Sequence, residues 1–158
     1  MCIDVLTVAF FGHRQINSFS AVERKLQKLI QKLLAEQEYV VFLVGRNGDF
    51  DQLVSSTVRQ CKKAFRDDHS SLVWVMPYES AEYRKNEVSF HAYYDEVEIC
   101  DASVKEYFMG AYQKRNRAMV DRADLIVFYV NTETGGAYQT MCYAQKQGKA
   151  YMNLACDE

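Results

Sequence analysis

Two stretches of this chain gather side chains and backbone groups suited to holding an anion. "GHR" (Gly12, His13, Arg14) sets an imidazole and a guanidinium directly behind an apolar run. "NTETGGA" puts Thr134 and the pair Gly135–Gly136 at the start of what reads as a helix. At a helix N-terminus the N–H groups of Gly136, Ala137 and Tyr138 would point outward, where unpaired donors and the helix dipole favour negative charge. A turn glycine followed by a glycine packed against a neighbouring strand would read the same way, and sequence alone leaves both open. Arg14 carries the planar fork that suits phosphate or carboxylate, or it makes a surface ion pair. His13 is either a ligand contact or a hydrogen-bonding core residue.

A third stretch, "GRNGDFD", supplies Gly45, Asn47, Gly48 and the carboxylates Asp49 and Asp51. Asp49 has the position of a helix N-cap. Asp51 is free to meet a ribose hydroxyl, or is an exposed carboxylate on a helix face. In "KRNRAMVDRAD", Arg115 and Met119 are four apart and share a helical face, Met119 toward the core. Arg115 is then an ion-pair partner or a substrate clamp. If it is a clamp, its loss should cost affinity and leave stability almost unchanged. The chain has no P-loop, no dinucleotide-binding glycine pattern, no zinc-protease histidine pair and no nucleophile elbow.

These residues need elements to position them. "VLTVAFFG" (Val5–Gly12) and "YVVFLV" (Tyr39–Val44) are continuous apolar runs, as for strands buried on both faces. Between them Val22, Leu26, Leu29, Ile30, Leu33 and Leu34 share a helical face, and Ser20 with Glu23 has capping-box spacing. A second helix is expected from about Phe50 to Phe65, with Phe50, Leu53, Val54, Val58, Cys61 and Phe65 facing the core. Strands follow at Ser71–Pro77, Asp124–Val130 and "KAYMNLA", with helices over about Tyr107–Arg122 and Gly136–Gln147, and Gly148 just past the last helix. About residues 78–106 read as an irregular insert with one short helix. This alternation predicts one α/β domain over 1–158, a Rossmann-like, doubly wound, mainly parallel sheet with helices on both faces. Right-handed crossovers bring the three loops to one sheet edge.

The 158 residues carry a formal net charge of −2, which gives no global attraction to nucleic acid. The basic runs "CKKAFR" and "QKRNR" read as solvated helix faces. Five scattered cysteines, none in a C-x-x-C pair, fit reduced thiols in the cytoplasm better than a disulfide framework or zinc site. The N-terminal "MCIDVLTVAFFGHR" lacks a basic leader and is too short to span a bilayer, so it reads as a strand and not a signal peptide.

Taken in order, "FFGHR", "GRNGDFD", "KRNRAMVDRADLIVFYV" and "GGAYQTMCYAQKQGKAYMNL" resemble the SLOG superfamily, which contains the DprA and Lonely-guy proteins, and within it the small YpsA-like branch. The resemblance implies a nucleotide or nucleotide-derivative site over the glycine loops. The ligand contacts are then Gly12, His13, Arg14, Gly45, Asn47, Gly48, Asp51, Arg115, Asn116, Thr134, Gly135, Gly136, Ala137 and Tyr138. Lonely-guy enzymes, which release a base from a nucleoside monophosphate, place an arginine–x–x–x–methionine helix before a strand and a glycine-rich loop carrying catalytic glutamates. Arg115, Met119, Gly135, Gly136 and Thr140 match that pattern, whereas the glutamate positions fall near Cys142 and Tyr143. Glycosidic cleavage needs a carboxylate near the anomeric carbon. Binding, as a sensor or sequestering module for an ADP-ribose-like ligand, is therefore favoured over hydrolysis, for which Arg115, Glu133 and Asp51 would be the catalytic candidates. A DprA-like association with DNA is disfavoured by the acidic balance. The expectation is a cytoplasmic protein with a bound nucleotide as ligand, no other cofactor, no metal, no membrane and no nucleic-acid partner. A homodimer or larger homo-oligomer is expected from the aromatic insert.

Overall fold

The computed structural model describes residues 3–100 and 108–156. Its elements run β1 (Val5–Gly12), α1 (Phe19–Glu36), β2 (Tyr39–Val44), α2 (Asp49–Ala64), β3 (Ser70–Met76), α3 (Ala81–Lys85) and α4 (Glu87–Tyr93). They continue as β4 (Glu96–Ile99), α5 (Phe108–Arg122), β5 (Leu125–Tyr129), α6 (Gly136–Lys146) and β6 (Tyr151–Asn153). The strands form one parallel sheet in the order β4-β3-β2-β1-β5-β6. From β1 the chain winds outward to β4, then crosses back to lay β5 on the other side of β1. The strand order therefore reverses between β1 and β5. In such sheets the crevice beyond the strands' carboxyl ends opens at this point. Gly12 is in register with Tyr129, so the loops leaving β1 and β5 start side by side.

Period-two alternation sends the side chains of β1 to two cores. Val8 and Phe10 join α1 and α2 on one face, and Ala9 and Phe11 join α5 and α6 on the other. Because both faces are covered, the central strands are apolar throughout, which is why they were legible as strands.

Four local expectations are corrected. Helix α1 begins at Phe19 with Ser18 in the cap position and no side-chain cap bond, so Ser20 and Glu23 lie within the helix and form no capping box. Gly48, not Asp49, is the cap residue of α2. Phe65 ends α2 and stands 56% exposed instead of facing the core. The stretch after β3 holds two short helices and a sixth strand.

Strand β4 was missed because its "EVEI" alternates charged with apolar residues, as an exposed edge does. It pairs with β3, and Arg122 at the end of α5 grips both carboxylate oxygens of Glu98, at 2.7 and 3.1 Å. The aromatic residues of this stretch also have a core role. Phe90, Tyr94 and Tyr83 surround Trp74, with ring centroids 4.9, 5.2 and 6.0 Å away. These three rings therefore serve packing within the chain. Residues 101–107, the remainder of the expected insert and the start of the expected helix, lie outside the described residues. Among the described residues no helix is long and apolar enough to cross a membrane.

Candidate functional site

A cleft of about 320 Å3 opens at the β1/β5 reversal, lined by Phe11, Gly12, His13, Arg14, Asn47, Asp51, Tyr112, Arg115, Asn116, Gly135, Gly136 and Ala137. One wall is the first turn of α6. Gly135 has φ +95°, a conformation that side chains with a Cβ resist, and it turns the chain into the helix without a side-chain cap. Gln139 N–H donates to the Gly135 carbonyl at 3.0 Å, while those of Gly136, Ala137 and Tyr138 have no partner among the described residues. A Cβ at Gly136 would have nothing within 4 Å, so the reading in which Gly136 packs against a strand is overturned.

The opposite wall is the loop after β1. The Asn131 N–H donates to His13 Nε2 at 3.0 Å, and the Thr132 hydroxyl lies 3.4 Å from the same nitrogen. Because Nε2 accepts, this contact requires the neutral ring with its proton on Nδ1. His13 thus clips the β1 loop to the β5 loop. Arg14 is held by its backbone: the Asp49 N–H donates to the Arg14 carbonyl at 2.8 Å, and Asp49 Oδ2 accepts from the Ile16 N–H at 3.2 Å. Gly48 sits so close that an added Cβ would lie 2.9 Å from the Arg14 carbonyl oxygen. Asp49 is therefore a loop staple, and Gly48 a close-approach residue outside the cleft lining. The Arg14 side chain is exposed, with no hydrogen bond or ion pair among the described residues.

Arg115 is only 2% exposed. Its Nη1 donates to the Val75 carbonyl at 2.8 Å and its Nε to Asn116 Oδ1 at 2.8 Å, while its guanidinium lies 5.4 Å from the Tyr112 ring centre. Asp51, 9% exposed, accepts from the Asn47 N–H at 2.9 Å. This burial corrects the reading of Asp51 as an exposed carboxylate on a helix face, while Asp51 does line the cleft. The two charged groups meet over Gly45, where an added Cβ would lie 3.0 Å from Asp51 Oδ2 and 3.1 Å from Arg115 Nη1. Gly45 thus makes room for two buried charged groups that act on each other through space, and it does not line the cleft. Burial pushes the Asp51 carboxyl above its ordinary range, opposed by the Asn47 N–H and by Arg115. Burial pulls Arg115 below the ordinary guanidinium value, opposed chiefly by Asp51.

From Arg115 a chain of hydrogen bonds reaches the glycine turn. Asn116 Nδ2 donates to Thr140 Oγ1 at 3.1 Å, and Thr140 Oγ1 donates to the Gly136 carbonyl at 2.8 Å. Of the remaining expected residues, Thr134 and Glu133 are exposed on the β5–α6 loop and do not line the cleft. The Tyr138 side chain packs with the α5–α6 core. Sequence reasoning overlooked Phe11 and Tyr112. Tyr112 precedes Arg115 by three positions, so the shared helical face was the available signal.

The fold and this cleft define a Rossmann-like α/β domain with an open helix N-terminus at its topological switch point. No family model matches the chain, and no curated protein matches it. Among solved structures, the fold is similar to that of DNA processing protein A from Helicobacter pylori, with a TM-score of 0.65 at 16% identity over 94% of this chain. It is likewise similar to DNA processing protein A (DprA) from Streptococcus pneumoniae, with a TM-score of 0.65 at 14% identity over 94% of this chain. The chain spans 64% and 50% of the lengths of those two chains. The Helicobacter pylori protein is described as having a unique single-stranded DNA binding mode.

Proposed function

We propose that this protein binds a nucleotide or nucleotide derivative, ADP-ribose-like in class, as a sensor or sequestering module of the YpsA-like SLOG kind. The observation that carries the reading is the open first turn of α6. Its three unpartnered N–H groups front a cleft that also holds Arg14, His13 and the Arg115–Asp51 pair. Such a turn accepts a phosphate without further devices. Phe11 and Tyr112 add aromatic surface for a base or sugar. The cleft supports binding over glycosidic cleavage. Among the described residues its one lining carboxylate is Asp51, already engaged by the Asn47 N–H and by Arg115. Native mass spectrometry of the purified protein, followed by calorimetric titration with a nucleotide panel, tests the reading. No co-purifying nucleotide and no binding across the panel would sink it, and steady release of adenine from AMP would replace it with the hydrolase reading.

A second reading, association with single-stranded DNA, is favoured by the fold likeness to the Helicobacter pylori protein. The net charge of −2 weighs against it. Affinity for an oligonucleotide that falls steeply with added salt, alongside no affinity for mononucleotides, would favour this reading.

A further inference from the structure

We infer that the ligand of this cleft presents a ribose with its 2′ and 3′ hydroxyls both free, read by Asp51 as acceptor and Arg115 as donor. This deepens the nucleotide-binding reading and rests on it. Both residues line the cleft, although only 9% of Asp51 and 2% of Arg115 is exposed. Each also has fewer hydrogen bonds than its burial calls for. An ionised carboxylate can accept about four. Asp51 accepts at Oδ2 from the Asn47 N–H, and its Oδ1 has no donor among the described residues. Arg115 donates through Nη1 to the Val75 carbonyl and through Nε to Asn116, and its Nη2 has no acceptor among the described residues. Nor do the two groups satisfy each other. An added Cβ at Gly45 would lie 3.0 Å from Asp51 Oδ2 and 3.1 Å from Arg115 Nη1, yet among the described residues the two side chains share no hydrogen bond or ion pair. Buried polar groups in folded proteins are paired, so a spare acceptor beside a spare donor on a cleft wall marks a place for ligand atoms.

The chemistry of those atoms follows from the two groups together. An anion drawn to Arg115 is opposed by Asp51, and a cation drawn to Asp51 is opposed by Arg115. A neutral group that both donates and accepts answers each of them. A hydroxyl does so, and a vicinal diol brings two adjacent oxygens to two adjacent partners. The position suits a sugar, which in a nucleotide joins the 5′-phosphate to the base. Arg115 adjoins the α6 turn through Asn116 and Thr140, and its guanidinium lies 5.4 Å from the centre of the Tyr112 ring. A phosphate on the turn and a base against Tyr112 would set the ribose over Arg115 and Asp51. A deoxyribose lacks one of the two hydroxyls. A residue inside a nucleic-acid strand has its 3′ oxygen esterified, so it cannot present the pair.

Calorimetric titration of the full chain with AMP, 2′-deoxy-AMP and 3′-deoxy-AMP tests this, since the three share base and phosphate. Each deoxy ligand should bind about tenfold or more weakly than AMP, the scale of a hydrogen bond to a charged group. Equal affinities would overturn the inference. Asp51→Asn should shrink the ratio between AMP and its deoxy analogues, because a neutral amide replaces the charged acceptor. A folded variant that loses affinity for all three ligands equally would show a structural role for Asp51 and would also overturn it. Where that variant does not fold, a crystal structure of the wild-type complex with AMP decides, and ribose hydroxyls placed away from Asp51 and Arg115 would count against the inference. Absence of AMP binding overturns it as well. The nucleotide reading then falls too only if ADP-ribose and the rest of the nucleotide panel also fail to bind.

Discussion

Asn116 and Thr140 join α5 to α6 at 3.1 Å, the amide of one donating to the hydroxyl of the other. Thr140 in turn donates to the Gly136 carbonyl, so one hydroxyl ties the Arg115 neighbourhood to the turn that opens on the cleft. Thr140→Val keeps the side-chain shape and removes both bonds. It should cost about 1 kcal/mol of stability, because the half-buried Asn116 donor and the Gly136 carbonyl each lose a partner. If the bond also orients the turn, affinity for a phosphate-bearing nucleotide should fall while affinity for the matching nucleoside does not. Thr140→Ser should restore both. Equal losses for nucleotide and nucleoside would show a purely structural bond.

Arg115→Ala was expected from sequence to spare stability, and its burial changes that expectation. The guanidinium lies near Asp51 and donates to the Val75 carbonyl, so truncation removes that carbonyl's donor and leaves the buried Asp51 carboxyl with the Asn47 N–H but no neighbouring cation. We expect a loss of about 1.5–3 kcal/mol, the range for a buried hydrogen bond from a charged group. Urea unfolding checks it, and an unchanged midpoint would show that the pair contributes nothing to folding.

The Asp51 carboxyl also predicts a pH effect. Its folded-state affinity for a proton is raised by burial, so between the unfolded value of about 3.9 and the folded one the native state binds more protons. Its contribution to stability is therefore present below about pH 4 and is lost as pH rises through the folded value. Asp51→Asn removes this titration, so the wild-type curve should decline relative to the mutant across that window. Parallel melting curves from pH 4 to 8 would show that Asp51 ionises in the fold as it does in water.

What was legible in the sequence follows from where each signal originates. Strands buried on both faces, such as "YVVFLV", announce themselves by composition alone. The glycine pair was legible because Gly135 requires a positive φ, a constraint that is local to the chain. The partnership of Arg115 with Asp51 was hidden because the two are far apart in sequence and meet only through the sheet order β3-β2-β1. Strand β4 was hidden because an edge strand displays charges like a loop. Asp49 looked like a cap because capping and loop-stapling use the same carboxylate, and only the path of the Ile16 backbone distinguishes them.

Gly136 gives the most direct test of the cradle. No atom lies within 4 Å of where its Cβ would stand, so a larger side chain meets no protein there and projects into open space. The fold should therefore accept Gly136→Val with a stability change within about 0.5 kcal/mol, as for substitutions that disturb no packing or hydrogen bond. All backbone donors of the turn are kept. The valine branches would nonetheless occupy space that a phosphate oxygen must enter to reach the Gly136 and Ala137 N–H groups, so nucleotide binding should be abolished. Gly135→Ala separates the other role of the pair. At φ +95° an alanine is strained, and that variant should lose about 1 kcal/mol or more of stability. Thermal melting and nucleotide titration of the two variants together decide the matter. A well-folded Gly136→Val protein that binds nucleotide as the wild type does would show that no phosphate rests on this turn.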